Sequence, residues 1–212
     1  DRCESRQEGI ERLLENPHFK YIILDDAFQH RKVQAGTNLL LTSYDKLYTQ
    51  DFLLPVGSLR DIRSRARKAQ IIIVTKCPEL TQAEQEKIIQ QLKPLPSQKV
   101  YFTSIAYSDR VYSHEDSQAL KDFIATPFTL VTGIANPTPL VDFLEKQGAS
   151  FEHLAYSDHH HFSNRELELL RQKGRILTTE KDYVRLEGAL STLYYLPIET
   201  QFLNDQRLIF ND

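Results

Sequence analysis

The sequence predicts an α/β fold built on parallel sheet. Two observations carry this. Short apolar runs rich in Ile, Val and Leu recur along the 212 residues, and segments with helical start and stop signals lie between them. Strands that are apolar on both faces belong to sheets covered by helices. Their alternation with helices is the mark of a parallel, layered arrangement.

Taken in order, residues 4–16 read as a helix that leads into a buried strand over 20–25, ending in Asp25 and Asp26. Further strands are expected at 38–42, 70–75, 99–103, 128–133, 151–155, 175–179 and 193–196, and helices at 80–92, 116–125, 137–147, 163–173 and 181–187. Thr81 with Glu84, and Ser163 with Glu166, have capping-box spacing. Pro137 opens its helix and Gly148 follows its end, the usual asymmetry. The polar stretch Ser104–Pro127, with Tyr107, Tyr112 and His114, separates two βα series and reads as a linker or hinge.

Composition narrows the class. A 41% hydrophobic and 26% charged content is that of a globular chain. The net charge of −3 argues against a general nucleic-acid binder, though a local basic patch is compatible with it. Two cysteines, Cys3 and Cys77, are too few for a disulfide framework or a structural zinc site, and a reduced, cytosolic setting is expected. No apolar run has the length of a membrane span, and no signal-peptide pattern opens the chain. The chain starts at Asp1 and contains no Met, so a longer parent protein is expected.

The pair Asp25-Asp26 is the foremost candidate site. Two acids at the mouth of a buried strand are costly without a cation, and ligands bind at the carboxyl ends of strands in open α/β sheets. Hard carboxylate oxygens suit magnesium, and Gln29 and His30 bring further polar groups to the same place. A strand-ending turn with solvated acids is the plain alternative. Leu54-Pro55-Val56-Gly57-Ser58-Leu59-Arg60-Asp61 comes next, followed by Arg63, Arg65, Arg67 and Lys68. Arg60, Arg63 and Arg67 share a face if this is a helix, and a Gly-Ser turn leading into arginines can grip phosphate. A solvated basic face explains Arg65 and Lys68 equally well.

Three segments lie further along. In Asp158-His159-His160-His161-Phe162, histidines beside an acid suit metal ligation, a proton relay or a polar loop, and His159 and His161 share a side if the segment is extended. In Thr179-Glu180-Lys181-Asp182, Thr179 reads as an N-cap with acids near the positive helix end. Lys181 reaches a phosphate or a partner acid. Thr132-Gly133-Ile134-Ala135-Asn136-Pro137 is a tight βα turn where backbone can approach a ligand. None of the seven glycines forms G-x-x-x-x-G-K-[ST] or G-x-G-x-x-G.

In their order and spacing these five segments resemble the tetraacyldisaccharide 4′-kinase family, the lipid A 4′-kinases, over nearly the whole chain. The resemblance implies a P-loop-type kinase lobe, of which residues 1–105 are the remainder, a hinge at 106–127, and a smaller C-terminal α/β lobe at 128–212. It implies transfer of the γ-phosphate of ATP, with Mg2+, to the 4′-hydroxyl of a tetraacylated glucosamine disaccharide 1-phosphate. The place would be the cytoplasmic face of the bacterial inner membrane, with peripheral contact through an upstream segment and no nucleic-acid partner. By the same likeness Asp25-Asp26 is the Walker-B-like pair, with Asp26 nearest the metal. Gln29 and His30 belong to that site, Arg60 and Asp61 match an Arg-Glu pair that binds substrate or phosphate, and His159 assists catalysis. Ala27 stands where the family often has Gly, so ordinary backbone angles are expected there. With no phosphate cradle in the sequence, the chain alone is expected not to turn over ATP.

Two other readings stand beside this one. Asp158-His159-His160 suggests a DHH-type metal-dependent phosphoesterase, but that class needs D-x-D and no two aspartates here are two residues apart. The other is a non-catalytic binding lobe with no affinity for magnesium nucleotide.

Overall fold

The computed structural model describes residues 6–15, 18–19, 21–29 and 32–205. In chain order the elements are α1 (Arg6–Leu14), β1 (Leu39–Ser43), β2 (Ile71–Thr75), α2 (Gln82–Leu92), β3 (Lys99–Tyr107), β4 (Arg110–Tyr112), β5 (Ser117–Ala119) and α3 (Leu120–Ile124). There follow β6 (Phe128–Thr132), α4 (Thr138–Lys146), β7 (Phe151–Ala155), α5 (Asn164–Arg171), β8 (Ile176–Thr179), α6 (Glu180–Leu186), β9 (Leu193–Leu196) and β10 (Ile198–Phe202). They form two compact units, one of Asp1–Ser104 with Gln201–Asp212, the other of Ile105–Thr200.

The first unit carries a sheet in the order β1-β2-β3-β10, with β1, β2 and β3 parallel. Ile72, Val74 and Phe102 project from the strands onto Ile88 and Leu92 of α2, together with Leu47 and Cys77. Helix α2 starts where Thr81 and Glu84 close a complete capping box.

The second sheet runs β5-β4-β9-β8-β6-β7. Strands β9, β8, β6 and β7 are parallel, and β4 and β5 are antiparallel additions at one edge. Successive residues point to opposite faces. Leu130 and Leu177 therefore enter one core with Phe123, Leu140 and Leu144. Val131 and Ile176 enter another with Leu170, Tyr183 and Leu186. Burial on both faces is why these strands read as unbroken apolar runs.

Three expectations need correction. Residues 21–25 do not form the expected strand, and residue 20 lies outside the described residues. Tyr21 and Ile23 are 70% and 91% exposed, while Ile22 and Leu24 are half-buried. Exposed and half-buried residues alternate along the segment, but no described strand is paired with it, and a strand needs a ladder. The stretch 106–127 is ordered structure of the second unit. It holds the end of β3, then β4, β5 and α3, because Tyr112 pairs with Tyr195 of β9 and Arg110–Tyr112 pairs with Ser117–Ala119. The helix expected over 116–125 is accordingly confined to 120–124. Finally, the Arg-rich segment is a 3-10 turn over Arg63–Lys68, and Arg60 precedes it. Arg60, Arg63 and Arg67 therefore do not share an α-helical face.

Candidate functional site

In the first unit two of the sequence candidates, Asp26 and Arg60, meet in an ion pair. Asp26 takes a left-handed conformation, φ 48°, that Asp tolerates better than most residues. Ala27 is not among the residues of positive φ. The turn presents the Asp26 carboxylate to Arg60, which grips it with both prongs of its fork: Nη1 donates to Oδ2 at 2.8 Å and Nη2 to Oδ1. Both side chains are more than half exposed. Asp25 is exposed beside the pair and Gln29 is half-buried. His30 lies outside the described residues. Asp61 does not join Arg60 in this ion pair. Its Oδ2 accepts from Arg65 Nη1 at 2.6 Å, and its Oδ1 accepts from the Ile62 amide at 2.9 Å.

Arg60 is placed by the loop before it. Asp51, 5% exposed, accepts hydrogen bonds from the amides of Phe52 at 2.7 Å and Ser58 at 3.2 Å and from the Ser58 hydroxyl, and lies 3.2 Å from Lys46 Nζ. The Ser58 hydroxyl first, helped by the two amides and Lys46, lowers the Asp51 carboxyl to about 2. Leu59 N donates to Phe52 O and Leu54 N to Leu59 O, each at 3.0 Å, which closes the loop. Gly57 is required: a Cβ there would collide with the Phe52 backbone and the Asp51 carboxylate.

In the second unit three predicted segments converge at the carboxyl ends of β6, β7 and β8. The connection through α4 leads from β6 to β7 on one side, and that through α6 leads from β8 to β9 on the other. The β6/β8 boundary is therefore a switch point, where open α/β sheets leave a crevice. Asp182 sits at this boundary with no exposed surface. It accepts from Gly133 N at 2.7 Å and Thr179 Oγ1 at 2.8 Å, and faces Arg185 Nη1 at 3.2 Å. A Cβ on Gly133 would lie 3.0 Å from Asp182 Oδ1, so the close approach favours glycine. Thr179 caps α6 by accepting from Asp182 N.

His159 stands over this base. Its φ of 59° puts it in a left-handed turn, not in the extended segment expected, so the sharing of a side by His159 and His161 does not follow. Arg185 Nη2 donates to His159 Nδ1 at 2.9 Å. A guanidinium only donates, so Nδ1 accepts in this contact; the other ring nitrogen is Nε2. That nitrogen faces Asp158 Oδ2 at 3.8 Å and Lys181 Nζ at 3.4 Å. Lys181 also donates to Asp158 Oδ1 at 2.7 Å, the first of the causes that hold the Asp158 carboxyl below its usual range. His160 is used structurally. It bonds Glu166 at 3.0 Å and stacks on Tyr156 with ring centroids 4.7 Å apart.

Sequence reading missed the roles of Arg185 and Asp182. The signal was their i,i+3 spacing on a helix next to a predicted cap. For a metal, the fit lies in the first unit. Asp25 and Asp26 offer hard, exposed oxygens, and the Asp26 carboxylate already neutralises a cation. Among the described residues no three His, Cys, Asp or Glu side chains gather into a metal cage. A magnesium ion held by one or two carboxylates together with substrate phosphates needs none.

Comparison with known proteins extends this geometry. A model of the family described as tetraacyldisaccharide-1-P 4′-kinase matches residues 3–210. A tetraacyldisaccharide 4′-kinase of Flavobacterium johnsoniae is 44% identical over 210 residues, covering 96% of this chain and 61% of that protein. Its namesake in Flavobacterium psychrophilum is 42% identical, with 96% and 61% covered, and one in Bacteroides fragilis is 39% identical, with 98% and 62% covered. The chain thus spans about three fifths of the length of these curated relatives. The fold is similar to the crystal structure of "apo" form LpxK from Aquifex aeolicus in complex with ATP, with a TM-score of 0.61, 19% identity, and 85% of this chain and 53% of that one covered.

Proposed function

The chain belongs to the tetraacyldisaccharide-1-P 4′-kinase family, and from that premise we propose that its parent protein phosphorylates the 4′-hydroxyl of a tetraacylated glucosamine disaccharide 1-phosphate, with ATP as donor. The observation that carries the reading is the two-pronged Arg60–Asp26 pair. It sets a phosphate-type guanidinium against a metal-type carboxylate at the predicted site.

Asp26, with Asp25 beside it, would hold the magnesium ion, which supplies charge neutralisation at the nucleotide phosphates. Gln29 and His30 belong to the same site in this reading. With a cation at Asp26, Arg60 would be free to bind phosphate oxygens. Asp61 keeps Arg65 and the start of the 3-10 turn in place, and so helps to position Arg60. His159, its ring held by Arg185, is the group that orients or relays a proton. The substrate is a lipid, so the enzyme works at a membrane surface, the cytoplasmic face of the bacterial inner membrane. Among the described residues no helix is long and apolar enough to cross a membrane.

The test is ATP-dependent phosphorylation of the disaccharide by the full-length protein. Asp26→Asn, which keeps tolerance of the left-handed turn, is expected to lower turnover by about a hundredfold or more, as loss of a charge-stabilising group does. His159→Ala is expected to lower it as well, and chelation of divalent cations to abolish it. Near-normal turnover in both variants would sink the site assignment.

A further inference from the structure

We infer that the loop Asp51–Leu59 is a docking element that sets the protein on an anionic lipid surface. Phe52, Leu53, Leu54 and Val56 are 61%, 45%, 60% and 82% exposed, and Pro55 between them is exposed too. Five consecutive apolar residues facing solvent make a contiguous apolar patch of the kind that marks an interaction surface. The loop is not slack. Asp51 grips both of its ends from below, two backbone bonds cross it, and Gly57 lets the turn close on the carboxylate. The apolar tip is therefore displayed in a fixed shape, and inserting it costs little ordering entropy.

The surroundings name the partner. Residues 46–68 hold six cations (Lys46, Arg60, Arg63, Arg65, Arg67 and Lys68) against two carboxylates, Asp51 and Asp61, a net charge of +4 in a chain of net charge −3. Two of these cations touch the loop in space as well as lying near it in sequence. Lys46 Nζ is 3.1 Å from Ser58 Oγ at the loop's base. Arg63 donates from Nε to the Asp51 carbonyl at 3.0 Å and lies 5.5 Å from the centre of the Phe52 ring. Arg67 and Lys68 are exposed. An apolar tip inside a cationic collar matches a bilayer with anionic headgroups, where apolar insertion and charge attraction add. A protein partner with an apolar pocket would not by itself ask for the collar.

The inference deepens the lipid-substrate reading and rests on it only for the purpose of the contact. Its test needs no turnover, so the two can fail separately. The chain contains no Trp, so Val56→Trp gives a single reporter at the tip, and Val184→Trp, at a site 72% exposed in the other unit, gives a control. Each is mixed with vesicles of equal parts phosphatidylcholine and phosphatidylglycerol, or of phosphatidylcholine alone. Expected are a blue shift and quenching by bromine-labelled acyl chains for Val56→Trp on the anionic vesicles only, diminished by salt. In co-sedimentation, Val56→Asp is expected to bind them about tenfold or more weakly than the parent chain, with an unchanged circular dichroism spectrum. Emission of Val56→Trp unmoved by anionic vesicles, or moved no more than that of Val184→Trp, overturns the proposal. So does a shift that needs no vesicles and follows protein concentration, which would assign the tip to a second copy.

Discussion

Arg185 does two jobs with one guanidinium. One prong pairs with buried Asp182 and the other fixes the His159 ring. Arg185→Leu leaves a buried carboxylate without its cation and is expected to cost about 3 kcal/mol in urea melts. Arg185→Lys keeps a cation for Asp182 but lacks the fork. It should fold, yet lower turnover about tenfold with an altered pH profile, because the imidazole ring is no longer held in place. A pH profile identical to that of the parent would refute this role. Asp51 gives a second residue-scale prediction. Its folded value of about 2 lies below the ordinary 3.8. The stabilisation it supplies is thus fully present above 3.8 and lost as pH falls through 2. The stability gap between parent and Asp51→Asn should be constant at neutral pH and close across that acid window. Sequence reading reached the Thr179 cap and the contact of Lys181 with a partner acid because each residue type limits its own chemistry. It took Asp182 for a helix-end charge, since only the β6/β8 crossing brings Gly133 N to it.

Elements whose signals are local were legible. Both capping boxes close as their spacing predicts, Thr81 with Glu84 and Ser163 with Glu166. Thr81→Ala and Ser163→Ala should each lower stability by about 1 kcal/mol. The second cap also anchors Glu166, which His160 uses, so Glu166→Ala is expected to loosen the histidine turn as well, seen as faster amide exchange at residues 158–162. Strands β4, β5 and β10 were not legible. Arg-Val-Tyr and Ser-Gln-Ala carry no apolar alternation of their own, and they are strands because β9 and each other supply the ladder. The run at 21–25 errs in the opposite direction: it has strand chemistry but no described ladder.

The whole molecule is two units whose cores have separate membership, one core in the first and two in the second. Cys77, 5% exposed in the first, has its thiol pushed up to about 11 by burial, so it should resist alkylation until that core opens. Leu177 is wholly buried in the second. Leu177→Ala is expected to cost about 2–5 kcal/mol there while leaving the rate of Cys77 labelling unchanged, and equal acceleration of labelling would show one cooperative unit. The assignment of residues 201–205 to the first unit was out of reach of local reading, because it depends on β10 lying beside β3.

That pairing has a consequence for the newborn chain. The ribosome makes β1, β2 and β3 before β10 (Ile198–Phe202), which flanks β3 and follows nearly all of Ile105–Thr200. At roughly 5–20 residues per second, the first sheet waits several seconds with one edge bare, while the contiguous second unit can fold at once. The second unit can therefore fold before the first sheet is complete, and the edge of β3 is the surface a chaperone would have most reason to shield.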